Sequence, residues 1–298
     1  MSDSPNLRIA VIGVGGIGST FAFQLARAQH DVMAIARPGS NRLRQLQRDN
    51  GVVNVKGECA PMRVADALDE TIAYDLVIVM LLAHQVDAVL PALQRSAAKR
   101  IQFMFNNFEP ERLRDAIGPD RVGFGMPFVQ ATVDADGKLK ATIGAAGQKT
   151  LLDEQRRVKV FVEVGLPAQL EADMSLWLRC HAPICVAFES VSVAGERRGG
   201  GASWREAMGL ARGVHECFAL IMRLGYRVYP FGKLRLRKSP VWVLAAMLWL
   251  MSRITAFRVL WATGVHECRA LVDTMARAAT GVHPPVAVAT IEAMKPND

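Results

Sequence analysis

Apolar positions follow two different patterns along this chain. Up to about Pro167, short apolar runs alternate with segments in which apolar residues recur at helical spacing. The runs at 9–12, 32–36, 74–82 and 101–105 are almost uninterrupted, as expected for parallel strands that are buried on both faces. Beyond Glu171 the strand patterns stop. We therefore predict an α/β domain at residues 1–168, with a doubly wound parallel sheet and an antiparallel extension at 129–143.

Long helical patterns fill the second part of the chain. They predict helices at 173–193, 203–224, 240–261 and 265–279. The second domain, residues 169–298, is accordingly predicted to be all-helical.

The first apolar run leads directly into a glycine motif. Gly13, Gly15 and Gly18 have G-x-G-x-x-G spacing and are followed by a helical pattern and a second apolar run. Strand, glycine turn, helix and strand in about 30 residues are typical of a dinucleotide-binding unit, although a plain glycine turn is the alternative. The pyrophosphate would lie on the N–H groups that open the helix, which makes Gly16 and Ile17 further contacts.

The end of the second strand indicates which dinucleotide is bound. It reads Ile35-Ala36-Arg37, with no carboxylate nearby to bond a ribose 2′-hydroxyl; Asp31 lies at the start of the strand. Arg37 can form a bidentate contact with a 2′-phosphate, and further contacts are expected from Ser40, Asn41 or Arg42. The alternative is a solvated arginine. We predict NADP(H).

Composition narrows the class of protein further. The 298 residues are 51% hydrophobic and 21% charged, with a net charge of +8. The basic residues are scattered, which argues against a nucleic-acid partner and fits an anionic cofactor with a small acidic or carbonyl substrate. No close C-x-x-C pair and no metal-ligand spacing occurs among the five cysteines. We expect them to be reduced core residues of a cytoplasmic protein, with no metal site.

The most apolar segment is 241–251, which reads VWVLAAMLWLM. It is too short to cross a bilayer at about 1.5 Å per residue, and Arg253 interrupts its continuation. We expect a buried helix that also packs against a second subunit in a possible homodimer. An interfacial helix, following the basic residues of 233–238, is the alternative.

These features together resemble the ketopantoate reductase (2-dehydropantoate 2-reductase) family. The resemblance is carried by the glycine unit, by Leu81-Leu82-Ala83-His84-Gln85 after a buried strand, and by Phe105-Asn106-Asn107 after the next. It implies a Rossmann domain joined to a helical domain like that of 6-phosphogluconate dehydrogenases, with NADPH reducing a 2-keto acid in the cleft. It also implies cofactor contacts at Leu81, Leu82, Gln85 and Asn106, with Asn106 near the nicotinamide.

The catalytic segment departs from the family pattern. The family's lysine general acid aligns with Arg179 in Trp177–Pro183, and its acidic residue has only Glu267 nearby. Arginine is a poor proton donor, whereas His181 can donate near neutral pH. The two residues are about 200° apart around a helix. We predict Arg179, His181 and Asn106 as catalytic residues, with Arg179 the one that faces the cleft.

Three functional hypotheses follow. The chain is predicted to be an NADPH-dependent reductase of a small 2-keto acid or related carbonyl compound. The alternatives are an NADP-binding protein without turnover, such as a sensor, and an oxidoreductase held at a membrane surface.

Overall fold

The structure is a computed structural model that describes residues 6–262 and 264–296. Contacts divide the chain into two compact units. The first unit runs up to Phe105 and continues with Glu111–Met174, and the second contains Asn106–Pro110 and the chain from Ser175 onward. The segment that follows the fourth buried run is thus grouped with the helical unit.

The first unit is built on an eight-stranded sheet in the order β12-β11-β8-β7-β6-β1-β2-β5. All neighbours are parallel except β8 and β11, and two hairpins, β3–β4 and β9–β10, form separate small sheets. The strands are β1 (Arg8–Ile12), β2 (Asp31–Ile35), β3 (Gly51–Val53), β4 (Cys59–Pro61), β5 (Arg63–Ala65), β6 (Leu76–Val79), β7 (Ile101–Met104), β8 (Val122–Met126), β9 (Val129–Val133), β10 (Leu139–Ile143), β11 (Thr150–Leu152) and β12 (Ala168–Leu170).

Register brings the carboxyl ends of the central strands level. Ile12 of β1 pairs with Ile35 of β2 and with Val79 of β6, and Val79 pairs with Phe103 of β7. The loops that follow these strands therefore lie along one edge of the sheet, where ligands bind in open α/β sheets. The predicted doubly wound sheet with an antiparallel extension is confirmed.

Helices of the first unit flank this sheet, and a 3-10 turn at 83–88 follows β6. Phe21 of α1 and Phe161 of α5 pack edge to face, with ring centroids 5.2 Å apart. The helices are α1 (Gly16–Arg27), α2 (Asn41–Arg48), α3 (Leu90–Arg95), α4 (Pro110–Ile117) and α5 (Gln155–Glu163).

Among its described residues, the second unit is all-helical, as predicted. Ser203 begins α7 with a capping box, because its hydroxyl accepts from the Glu206 N–H and the Glu206 carboxylate accepts from the Ser203 N–H. Two of its short helices, α8 and α12, were not predicted. The helices are α6 (Met174–Arg197), α7 (Trp204–Arg223), α8 (Phe231–Lys238), α9 (Val241–Met251), α10 (Thr255–Trp261), α11 (Val265–Ala279) and α12 (Val288–Glu292).

The single helix predicted at 240–261 is wrong, since α9 and α10 meet at an angle of 98°. Ser252 holds the break. Its hydroxyl accepts from the Ala202 N–H at 3.0 Å, and its carbonyl accepts from the Arg258 guanidinium at 2.9 Å. Arg258 is buried and also pairs with Glu196 at 2.6 Å. These tertiary contacts are invisible to hydrophobic periodicity, which continues through the break.

The apolar segment 241–251 is only partly buried. Leu244, Ala245 and Leu248 enter the core, while the side chains of Trp242 and Leu250 are 59% and 58% exposed. Within residues 6–262 and 264–296, no single helix is long and apolar enough to span a membrane; α9 and α10 pass that test only as a bent pair.

The cysteines also differ in part from expectation. Cys180, Cys185, Cys217 and Cys268 are buried, as predicted, but Cys59 on β4 is exposed. In the part of the chain that the structure describes, no three His, Cys, Asp or Glu side chains are grouped so as to hold a metal ion.

Candidate functional site

Three of the loop glycines are required because other backbone atoms approach them closely. A Cβ on Gly13 would lie 2.6 Å from the Met80 carbonyl oxygen, and Gly13 has a φ of +90°. A Cβ on Gly16 would lie 2.3 Å from the Ala131 carbonyl oxygen of β9, and one on Gly18 2.1 Å from the Gly13 carbonyl oxygen. Gly16, predicted as a cofactor contact, thus also packs against the hairpin.

Gly15 differs from these glycines because it faces open space. No atom lies within 4 Å of a Cβ placed on it, and it is exposed. Gly15 is the N-cap of α1, whose first turn carries no acidic side chain. The N–H groups that open a helix lack intrahelical partners and favour an anion. The loop therefore leaves a space at a positive helix end, on the sheet edge where a ligand is expected.

Arg42 holds this loop from behind. Its guanidinium donates to the Val14 carbonyl at 3.0 Å, to the Ser19 hydroxyl at 2.8 Å and to the Gly137 carbonyl at 2.9 Å. Burial lowers the pKa of Arg42 below its ordinary value. Arg42 was predicted as a possible phosphate contact, and the structure instead uses all three of its nitrogens to support the loop.

The other two predicted phosphate contacts also have structural roles. The Ser40 hydroxyl accepts from the Leu43 N–H at 3.2 Å and caps α2, and the Asn41 side chain bonds to Arg44. Arg37 lies exposed just before this helix. The carboxylate of Asp31 is engaged by Arg8 at 3.1 Å and Arg63 at 2.7 Å. Arg37 is therefore the predicted 2′-phosphate residue that remains accessible.

The segment after β6 is organised by Gln85. Its side-chain oxygen accepts from the Leu82 N–H at 3.2 Å, which closes the 3-10 turn. Leu81 packs beside Gly13, since a Cβ on that glycine would lie 2.8 Å from its side chain, and Leu82 is 37% exposed. The three predicted contacts, Leu81, Leu82 and Gln85, thus lie on the same sheet edge as the glycine loop.

A second group of candidate residues lies within the helical unit. Trp177, His181, Cys185 and Glu189 recur every four residues on α6 and therefore share one face of that helix. The rings of Trp177 and His181 are 4.2 Å apart. The four-residue spacing of these side chains is visible in the sequence and is the signal that could have shown that they form one stripe.

Lys233 of α8 lies against this stripe. Its ammonium donates to the Trp177 carbonyl at 3.0 Å and lies 4.0 Å from the centroid of the Trp177 ring. Burial, and then the charge of Lys233, push the pKa of His181 well below its ordinary value. The lowered pKa disfavours the imidazolium form, so less of His181 carries the proton that a general acid would donate than the sequence suggested.

Two carboxylates meet at the N-terminus of α11. Glu189, which is buried, accepts from the Gly264 N–H at 2.7 Å. Burial and the neighbouring Glu189 raise the pKa of Glu267, in the first turn of α11, to about 7. The Asn106 amide bonds to Glu267 and opposes that shift. Burial raises the pKa of the Cys185 thiol, the charges of Glu267 and Glu189 raise it further, and that of Lys233 lowers it. These three charged groups therefore lie near Cys185.

Asn106 carries an unsatisfied atom. Its side-chain oxygen is buried and has no hydrogen-bond partner among the described residues. Such an atom costs about 1–3 kcal/mol unless a donor reaches it. Asn106 follows Phe105 directly after β7, so the chain itself places it next to the ligand-binding edge of the sheet.

Arg179 has a different environment from that of the polar stripe. It is 4% exposed, and its guanidinium lies 4.1 Å from the Tyr226 ring centroid and 5.3 Å from that of Phe108. These stacked contacts are typical of an arginine that packs aromatic side chains together. The prediction that Arg179 acts on the substrate stays a prediction, and its surroundings favour a structural role.

The chain is similar to known proteins in part of its sequence and in its fold. Residues 9–151 match the family model described as "Ketopantoate reductase PanE/ApbA". No curated protein sequence matches the chain. Among solved structures, a PanE/ApbA family ketopantoate reductase from Ralstonia eutropha JMP134 is similar with a TM-score of 0.72 and 17% identity, covering 96% of this chain and 95% of that one.

Two further structures share the fold. The 2-dehydropantoate 2-reductase from Methylococcus capsulatus gives a TM-score of 0.67 at 19% identity, covering 96% of this chain and 94% of that one. A complex of D-mandelate dehydrogenase with NADH gives a TM-score of 0.71 at 14% identity, covering 97% and 96%. These names describe oxidoreductases that act on a C=O or CH–OH group. The family model thus covers most of the first unit, and the likeness to these structures extends the shared fold to nearly the whole chain.

Substituting two of the loop glycines separates binding from folding. In Gly15→Ala the added methyl meets no protein atom, so thermal unfolding should match the wild type while NADPH affinity falls at least about tenfold. Gly18→Ala should instead destabilise the first unit by about 1–3 kcal/mol, because its methyl collides with the Gly13 carbonyl. Fluorescence titration with NADPH and thermal melts measure the two effects. Unchanged NADPH affinity in Gly15→Ala would contradict the assigned anion site.

Glu267 should make stability depend on pH. Its folded pKa of about 7 lies above the unfolded value, so the protonated carboxyl stabilises the fold fully below about pH 4.5, and this contribution is lost as pH rises to about 7. Glu267→Gln should therefore have the same melting temperature as the wild type near pH 4.5. As the pH rises towards 7, its melting temperature should exceed that of the wild type by an increasing amount. Exposed Glu292→Gln on α12 is the matched control. A difference in melting temperature that does not vary with pH would show that Glu267 is not perturbed.

Proposed function

We propose that this protein is an NADPH-dependent reductase of a small 2-keto acid. The observation that carries the proposal is the open space at Gly15, which lies at the N-terminus of α1 inside a ketopantoate reductase domain. The glycine loop and the sheet edge supply what a dinucleotide needs.

The residues present fit a phosphorylated dinucleotide. The N–H groups at the start of α1 can hold the pyrophosphate, and exposed Arg37 can hold a 2′-phosphate. Asp31 is occupied by two arginines and lies at the opposite end of β2 from Arg37, so it does not offer a carboxylate to a ribose hydroxyl. The buried oxygen of Asn106 can accept a hydrogen bond from an amide such as the nicotinamide carboxamide.

The substrate class is supported by the names of proteins that share the fold. These names refer to 2-keto or 2-hydroxy acids, namely ketopantoate and mandelate. A further D-mandelate dehydrogenase structure, with a TM-score of 0.68, contains the related compound anilino(oxo)acetate. A 2-keto acid carries a carboxylate, and the helical unit holds the cation of Lys233 near His181, while both Lys233 and Glu267 lie near the Cys185 thiol. Such a cluster suits a small anion that bears a polar carbonyl group.

Ketone reduction adds a hydride to carbon and a proton to oxygen, and the reduced nicotinamide supplies the hydride when bound. The protein has to orient the carbonyl group, stabilise charge on its oxygen and deliver the proton. Asn106 and Lys233 can donate hydrogen bonds that orient the carbonyl group and stabilise charge on its oxygen. Neutral His181 can also donate a hydrogen bond to a substrate oxygen.

A cofactor-binding protein without turnover is the second candidate. It is favoured by the position of Arg179, which replaces the family's lysine and is packed between aromatic rings. A panel of 2-keto acids with NADPH, followed through the absorbance of the reduced nicotinamide, separates the two functions. Turnover of at least one acid supports the reductase. NADPH binding with no turnover of any acid supports the second candidate.

Arg37 should determine cofactor preference. A charge-assisted bidentate contact contributes about 1.5–3 kcal/mol, so NADPH should bind roughly 10- to 100-fold more tightly than NADH. Arg37→Gln should reduce that ratio towards one by weakening NADPH binding while leaving NADH binding unchanged. Arg44→Gln, an exposed arginine on α2, is the control. Equal dissociation constants for the two cofactors in the wild-type protein would refute the assignment of NADP(H).

A further inference from the structure

The helical unit contains a lysine that was not among the catalytic residues predicted from the sequence. Lys233 lies on α8, far along the chain from the segment that aligns with the family's catalytic lysine. Its ammonium is held by the Trp177 carbonyl at 3.0 Å and by the face of the Trp177 ring at 4.0 Å. The ammonium thus lies against the same turn of α6 that carries Arg179, but on the face that carries His181.

The two proton donors predicted from the sequence, Arg179 and His181, are poorly suited to that role. A guanidinium is a poor proton donor, and that of Arg179 is packed on Phe108 and Tyr226. His181 is uncharged at neutral pH, because burial and Lys233 lower its pKa. The ammonium of Lys233 lies against the stripe, and unlike a guanidinium it can release a proton.

We propose, on the basis of the reductase function above, that Lys233 of α8 is the general acid of this enzyme and replaces the missing family lysine. In the reductive direction, an N–H bond of the ammonium breaks while the O–H bond of the product hydroxyl forms at the former carbonyl oxygen. Lys233 becomes a neutral amine and regains a proton from water. The Trp177 carbonyl and ring position the ammonium, and Glu267 with Asn106 lies in the same neighbourhood.

Three substitutions test this role. Lys233→Met should lower kcat by about 10²–10⁴-fold with a small change in KM, as expected for loss of a proton donor. Lys233→Arg keeps the charge but cannot release a proton, so it should be equally slow. Lys238→Met, on an exposed lysine of the same helix, is the matched control and should keep the wild-type rate. NADPH affinity and the far-UV spectrum of each variant verify folding.

The pH profile distinguishes Lys233 from Glu267. If Lys233 is the acid, the alkaline decline of the reductive rate should disappear in Lys233→Met and persist in Glu267→Gln. If Glu267 is the acid, a decline near pH 7 should disappear in Glu267→Gln instead, which would overturn the proposal. A full rate in Lys233→Met, or recovery of the rate in Lys233→Arg, would also overturn it. Absence of turnover in the wild type would refute the reductase function itself.

A measurement without turnover gives an independent check. Reductive methylation with ¹³C-formaldehyde gives each lysine an NMR signal, and that of Lys233 is assigned by its loss in Lys233→Arg. Addition of oxamate, a 2-keto acid mimic, to the NADP-loaded protein should shift the Lys233 signal and leave that of Lys238 unchanged. A Lys233 signal that does not respond to oxamate would contradict contact with the substrate.

Discussion

The close approach of backbone to backbone at the glycine loop is the constraint on which the first unit depends. Gly18 lets α1 touch the carbonyl of Gly13, and Gly16 lets the β9–β10 hairpin reach the start of the same helix. Arg42 then joins loop, helix and hairpin by three hydrogen bonds. Because these contacts fix the loop, the open space at the Cβ position of Gly15 is preformed at a positive helix end. Binding there requires little reorganisation.

The sequence predicted the first unit well because its signals are local. Buried runs such as Leu76–Val79 and the glycine spacing depend on neighbours a few residues apart. The roles of Arg42 and Asn106 could not be predicted in this way. Arg42 bonds to Gly137, which is 95 positions away in the sequence. Asn106 bonds to Glu267, which is likewise far away in the sequence. Polar side chains acquire their partners from the tertiary structure, and periodicity carries no information about those partners.

The helical unit shows the same limit for charged groups. Hydrophobic spacing predicted α6, α7 and α11, but it continued through Ser252, where contacts from Ala202 and Arg258 end α9. Hydrophobic spacing also left α8 unassigned, although that helix carries Lys233, which lies against Trp177 of α6. The position of the family motif predicted Arg179 as the catalytic residue, whereas its guanidinium packs against Phe108 and Tyr226.

A functional group can change its position in the sequence when its side chain is long enough to place the same atom in the same surroundings. Lysine has a flexible four-carbon stem, and only its terminal nitrogen takes part in proton transfer. The ammonium of a lysine on α8 that packs against Trp177 can therefore act as the proton donor in place of a lysine on α6. Arginine at the former position is then free to become a packing residue. The burial of Glu189 and Glu267 near each other disfavours their charged forms, and perturbed carboxyl groups of this kind are common where charged groups are held for chemistry.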